Sequence, residues 1–153
     1  LRDFTRAICK HYEVPLLDVV SLIALESGWG TAKGFNDFSP DRYYGRGYVD
    51  IGYMQLSSRY FYFFKTTYFD VDLLKELGYS RQYFDARDPF INIQIGVAYF
   101  STLLRKFGDV ERAAMAYNAG PYKPLEEMPL VTVLYAKSIA NNQIYRYKYL
   151  PDA

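Results

Sequence analysis

Glu26 closes a dense apolar run, Leu16, Leu17, Val19, Val20, Leu22, Ile23 and Leu25, that follows Pro15. Proline suits the first turn of a helix, where its missing N–H has no intrahelical partner, and apolar residues at this density predict a largely buried helix. A carboxyl at the inner end of such a helix is drawn partly out of water, which penalises its charged form and raises its pKa. An acid still protonated near neutral pH can give its proton to a glycosidic oxygen. A solvated helix-end glutamate has the same local sequence, so the chemistry depends on the company that Glu26 keeps.

Other chemistries lack their residues. One Cys and one His cannot build the usual zinc sites of three or four ligands, and a lone Cys forms no internal disulfide. No metal and no cofactor is expected. Cys9 reads as a small buried apolar residue. His11 reads as a surface residue on an early helix, and no G-x-S-x-G elbow accompanies it to suggest a serine or cysteine machine. With 18 basic and 17 acidic residues spread through the chain, there is no basic stripe to neutralise phosphates, so nucleic acid is not an expected partner. No apolar run approaches the roughly 20 residues that span a bilayer. Leu1 to Lys10 contain Arg2, Asp3 and Arg6 without a long apolar stretch and do not read as a secretory signal peptide. The 17 Tyr and 11 Phe exceed what a core needs, leaving some free to stack on the apolar C–H faces of sugar rings.

The elements that position Glu26 follow from caps and periodicity. A chain of 153 residues, half of them hydrophobic, is expected to form one domain over 1–153. The first apolar helix should stop near Gly28 or Gly30. The Gly-, Asp-, Tyr- and Pro-rich stretch from Gly28 to Gly52 has no helical period and predicts a long irregular loop or a small hairpin. One or two helices are expected between Gln55 and Leu77, ending at Gly78. Asp88-Pro89 is a cap followed by a helix-starting proline, and the apolar pattern from Phe90 to Phe107 predicts the longest helix, closed by Gly108. Asp109 should cap a short helix that stops at Asn118-Ala119-Gly120-Pro121, and Pro129 should open a last one toward Tyr145. The fold class is therefore mainly α, without internal repeats or a low-complexity linker.

Five blocks in order carry a family resemblance. Glu26-Ser27-Gly28-Trp29 resembles the Glu-Ser-x-Trp signature of the catalytic acid in lytic transglycosylases. Asp50-Ile51-Gly52-Tyr53-Met54-Gln55 resembles their Gly-Leu-Met-Gln segment in its Asp-Ile-Gly-Leu-Met-Gln form. Asp88-Pro89, Asn92-Ile93 and Gly96 match Asp-Pro-x-x-Asn-Ile-x-x-Gly, a block that reads as helix packing. Ala116-Tyr117-Asn118-Ala119-Gly120-Pro121 matches Ala-Tyr-Asn-Ala-Gly-Pro without a change. Tyr135 and Ile139 resemble the closing Tyr-Val-x-x-Val helix.

The resemblance implies a lysozyme-like fold and cleavage of the MurNAc-GlcNAc bond of peptidoglycan glycan strands, leaving 1,6-anhydro ends. Glu26 is implied as general acid and then base. Tyr117 is expected near Glu26, its phenol bonded to that carboxyl or to the substrate's acetamido group. Gln55, Ser57 and Asn118 are expected at the glycan, Met54 on the groove floor, and Ser27 as a support for the backbone or for Glu26. Trp29 reads as packing beneath the loop. The substrate implies action in the periplasm or cell envelope.

The chain also departs from the pattern. Ser39-Pro40 through Gly47 reads as an inserted loop, Tyr53 stands in place of Leu, and Val131-Thr132 stands where relatives carry Glu-Thr, with Glu126 or Glu127 as conceivable substitutes. Goose-type lysozymes share two of the blocks, so a hydrolytic muramidase is the alternative. It needs a second carboxylate to activate water, for which Asp37, Asp41 and Asp50 are candidates. A glycan-binding module without activity is the third reading.

Overall fold

The computed structural model describes residues 1–37 and 47–141. The described elements are α1 (Arg2–Tyr12), α2 (Leu16–Ser27), β1 (Asp50–Ile51), β2 (Leu56–Ser57), a 3-10 turn (Ser58–Tyr60), α3 (Phe61–Thr67) and α4 (Val71–Glu76). They continue with α5 (Pro89–Phe107), α6 (Val110–Ala119), a second 3-10 turn (Leu125–Glu127) and α7 (Leu130–Ala140). The mainly α expectation holds, and the hairpin falls at the end of the irregular stretch. Of the inserted loop from Ser39 to Gly47, all but Gly47 lies outside the described residues, Asp41 included, as does the continuation of the last helix toward Tyr145.

The caps behave as their chemistry dictates. Asp88 accepts the otherwise unpartnered N–H groups of Phe90 (2.9 Å) and Ile91 (3.1 Å), while Arg81 holds its second oxygen at 2.6 Å. Asp109 accepts from Glu111 N–H at 3.0 Å to start α6. Pro15 is the N-cap of α2, immediately ahead of the first turn in which it was expected.

The 19-residue α5 runs through the core, with Ile91, Ile93, Ile95, Val97, Phe100 and Leu103 buried. α1 packs against α5 and α2, α6 against α5, and α7 against α6 and α2. The buried polar residues of α5 bind neighbouring segments. Gln94 Nε2 donates to the Tyr12 hydroxyl and to Tyr68 O, both at 2.7 Å, and Ser101 donates to Tyr12 O at 3.0 Å. Unpaired, these groups would each cost about 1–3 kcal/mol of desolvation; paired, they fix register. Cys9 is buried on α1 and His11 exposed on its last turn, as expected. Among the described residues no helix is long and apolar enough to cross a membrane.

Candidate active site

Glu26 is the penultimate residue of α2, one residue before a helix end that is clamped to the hairpin. Ser27 Oγ donates to Tyr53 O at 2.9 Å and accepts from Gly30 N–H at 3.2 Å. Ser27 thus fixes backbone, one of its two expected roles, and makes no bond to Glu26. The hairpin pairs Asp50 with Ser57 and Ile51 with Leu56 around the turn Gly52–Gln55.

That turn is held by other helices as well. Asn92, fully buried on α5, accepts from Met54 N–H and donates to Ile51 O and Ala86 O, each at 2.8 Å. Gly52 makes the approach possible, since a Cβ there would fall on the Asn92 amide, and its φ of +87° suits glycine. Gly96, one turn along α5, does the same for Met54: a Cβ would lie 2.8 Å from Met54 Cβ and closer still to its sulfur. The Asp88 block is therefore more than helix packing, because two of its residues dock the segment carrying Gln55. Gln55 itself takes a φ of +49°, uncommon without glycine, and its amide donates to Phe35 O and Gly52 O at 2.8 Å.

A groove of about 700 Å³ opens here. Glu26, Asp50, Gln55, Ser57, Tyr117 and Asn118 line it together, so five of the seven expected site residues meet in one concavity. Its aromatic lining comes from Tyr48, Tyr60, Phe63, Phe64, Tyr99 and Tyr122. Ser27 and Met54 stand apart from the lining. Met54 was expected on the floor, but its side chain is fully buried against Gly96. Only its backbone serves the site, by accepting from the Tyr117 hydroxyl at 2.6 Å.

The phenol on the acid comes from elsewhere. Tyr135 of α7 donates to Glu26 Oε1 at 2.5 Å, whereas Tyr117 spends its hydroxyl on Met54 O. Tyr117 was expected to reach the carboxyl or the substrate; the turn needs its donor first. Tyr135 is not part of the groove lining, so it grips Glu26 from within the protein. Asn118 accepts from Thr132 Oγ1 at 2.8 Å and thereby ties the end of α6 to α7 one turn before Tyr135. The signal for Tyr135 was its place in the fifth block, three residues after Thr132, but nothing in the spacing paired it with Glu26.

Electrostatics follow from this enclosure. Burial pushes the Glu26 carboxyl from 4.5 up to about 7; the Tyr135 hydrogen bond pulls it down and the negative charge of Asp50 adds to the rise. Burial likewise drives the Tyr117 and Tyr135 hydroxyls well above their ordinary value, with the Glu26 charge contributing to both. These phenols stay protonated donors.

Of the other candidates, Asp37 is exposed and outside the groove lining, and so are Glu126 and Glu127. Asp50 is the described second carboxylate in the groove. Trp29 is buried in the core, in keeping with a packing role, and its indole N–H has no partner among the described residues.

The family model for the transglycosylase SLT domain matches residues 4–128. No curated protein and no solved structure matches the chain.

Proposed function

The chain belongs to the transglycosylase SLT domain family, which acts on peptidoglycan through a lysozyme-like fold, and on that premise we propose that Glu26 cleaves the MurNAc-GlcNAc β-1,4 bond without water. One observation carries the reading: a groove-facing carboxyl whose pKa lies at about 7, gripped from behind by a tyrosine. Such an acid can be protonated at the start of a turnover and ionised in the middle of it.

Protonated Glu26 gives its proton to O4 of N-acetylglucosamine as the C1–O4 bond breaks. The positive charge on the muramic ring is met by the substrate's own 2-acetamido oxygen. Glu26, now a carboxylate, takes the proton of the C6 hydroxyl as O6 bonds to C1 and closes the 1,6-anhydro ring. One bond to C1 is lost and one formed, and Glu26 ends protonated as it began. Nucleophile and electrophile belong to one sugar, so holding the ring in the reactive pucker replaces a bimolecular encounter, with effective molarities that reach about 10⁵ M. Gln55, Ser57, Tyr117 and Asn118 line the groove where the strand would lie, and the aromatic wall offers faces for sugar rings. The reading puts the reaction in the periplasm or cell envelope, where peptidoglycan lies; the family's substrate class supports it.

Asp50 supports a second reading. It shares the groove with Glu26 and could activate water for hydrolysis. Mass spectrometry of sacculus digests separates the two: an anhydromuramic end is lighter by one water than a reducing end. Release of reducing ends alone would overturn the proposal. Glu26→Gln should still bind sacculi while failing to clear them; clearance at the parent rate would remove Glu26 from the reaction, and binding without clearance by the parent chain would mark an inactive module.

A further inference from the structure

We propose that Arg59 and Lys123 form a carboxylate-reading subsite in the groove, which selects glycan strands by the acidic peptide stems on their muramic sugars. The inference rests on the peptidoglycan reading above and concerns the same groove.

The charged side chains in the described lining are Glu26, Asp50, Arg59 and Lys123. The proposed chemistry uses the first and accounts for the second as its neighbour. It leaves both cations without a task. They come from separate segments: Arg59 from the 3-10 turn after β2, Lys123 from the loop after α6. Neither forms an ion pair or a side-chain hydrogen bond among the described residues.

Arg59 is nevertheless held in place. Its backbone N–H donates to Ser57 Oγ at 3.3 Å, and its guanidinium carbon lies 4.5 Å from the centre of the Tyr48 ring, which also lines the groove. A guanidinium resting on an aromatic face keeps its N–H edge open for a planar, two-oxygen acceptor. Lys123 follows Tyr122, an exposed groove-lining ring that carries the Lys106 ammonium 4.9 Å from its centre. The groove is therefore bordered by a cation on the Tyr48 segment and by another on the Tyr122 segment.

The alternating sugars of an intact strand are neutral and give these cations nothing to pair with. The lactyl group of each muramic sugar is joined by an amide to a short peptide, and the carboxylates of that peptide are the anions the strand carries. Two cations beside a cleft built for the sugars match that charge. Exposed pairs of this kind are weak one by one, so the effect is selective and salt-sensitive and does not hold the glycan by itself.

The test compares soluble peptide-bearing glycan strands with the same strands after carbodiimide and excess ammonium have turned their carboxylates into amides. Stem size is retained and only charge is lost. For Arg59→Gln and Lys123→Gln, KM on untreated strands should rise about two- to fivefold each, with kcat retained, as an exposed ion pair allows. Amidated strands should show no such gap between parent and variants, and Arg59→Lys should recover part of the loss. In parallel, calorimetric binding of a disaccharide tetrapeptide to the Glu26→Gln chain should weaken on adding either substitution. Equal losses on both kinds of strand, or no loss on either, would overturn the subsite. If the parent chain released no anhydro ends from either strand, the proposed reaction would fail, while the calorimetry would still decide whether these cations read carboxylates.

Discussion

Replacing Tyr135 by Phe removes one hydroxyl, the one that donates to Glu26 Oε1 at 2.5 Å, and leaves the ring that packs between α7 and α2. That hydroxyl favours the ionised carboxyl and so opposes burial, which drives Glu26 up to about 7. A hydrogen bond to a charged acceptor contributes about 1.5–3 kcal/mol, and one pKa unit corresponds to about 1.4 kcal/mol. Without it, Glu26 should hold its proton to a pH roughly one to two units higher. In the proposed reaction the free enzyme needs Glu26 protonated, so kcat/KM falls as pH rises through its pKa. Release of soluble fragments from purified sacculi, measured as kcat/KM from acid to alkaline pH, should show the parent's descending limb near 7 and the variant's limb displaced upward by that amount. The maximum should drop about tenfold to a hundredfold as well, because an acid that has lost its anchor points less well at O4. A drop in the maximum could come from any disturbance of the groove; the direction of the limb could not. A limb that stays near 7 or moves toward acid in a folded variant would refute the link from Tyr135 to Glu26 to the pH profile.

Glu26 also links pH to stability. Its folded pKa is raised, so its contribution is complete below about 4.5 and is lost as pH rises to about 7, a span worth roughly 3 kcal/mol. Glu26→Gln should therefore gain stability over the parent across that window and keep the gain above it; urea unfolding of both at pH 4.5 and 8 measures this, and a constant difference would count against a buried acid. At Gly96 an added methyl would press on Met54, an overpacking cost of about 1–3 kcal/mol set against up to about 1 kcal/mol of helix propensity gained. Gly96→Ala should lower the urea midpoint and lower activity with it as the turn shifts, and a raised midpoint would show that the contact yields freely. Burial pushes the Cys9 thiol up to about 12, so an aromatic disulfide reagent at pH 8 should label the native chain only as fast as it unfolds. Labelling of the folded protein within minutes would contradict that burial.

What the sequence disclosed depended on the range of the interaction. Caps act within three residues, and Asp88, Asp109 and Gly108 could be read from their neighbours alone. Glu26 was legible only in part this way: seven apolar residues on its own helix allow its desolvation but fit a solvated helix-end glutamate equally well, and the ordered motif blocks around it singled it out. The bond from Tyr135 to Glu26 spans 109 residues, and no local pattern encodes it. Tyr117 and Met54 show a second limit. Residue type advertises side-chain chemistry, yet the site uses the Met54 carbonyl, and Tyr117 is engaged by it. The role of Asn92 was within reach, because a polar amide amid Phe90, Ile91, Ile93 and Ile95 must be hydrogen-bonded wherever it is buried. Its partners, Met54, Ile51 and Ala86, required the structure.

Glu26 has two tasks in the proposed turnover, and they make opposite demands. As a donor it must be protonated when the strand arrives; as an acceptor it must be basic enough to take the C6 proton moments later. Burial by α2 alone would overshoot toward a permanently protonated acid, and a solvated carboxyl near 4.5 would arrive already ionised. The value of about 7 arises because α7 supplies a donor from behind while the groove face stays open to substrate. That donor is only as well placed as its helix, and Asn118, bonded to Thr132 one turn below Tyr135, sets the helix against the end of α6. The Asn118 segment therefore bears on the acid through α7 as well as bordering the groove. A change at residue 118 should shift the pH profile through Tyr135, whereas a change at Gln55, which is bonded to Phe35 and Gly52 and not to Glu26, should alter strand affinity and leave the limb in place.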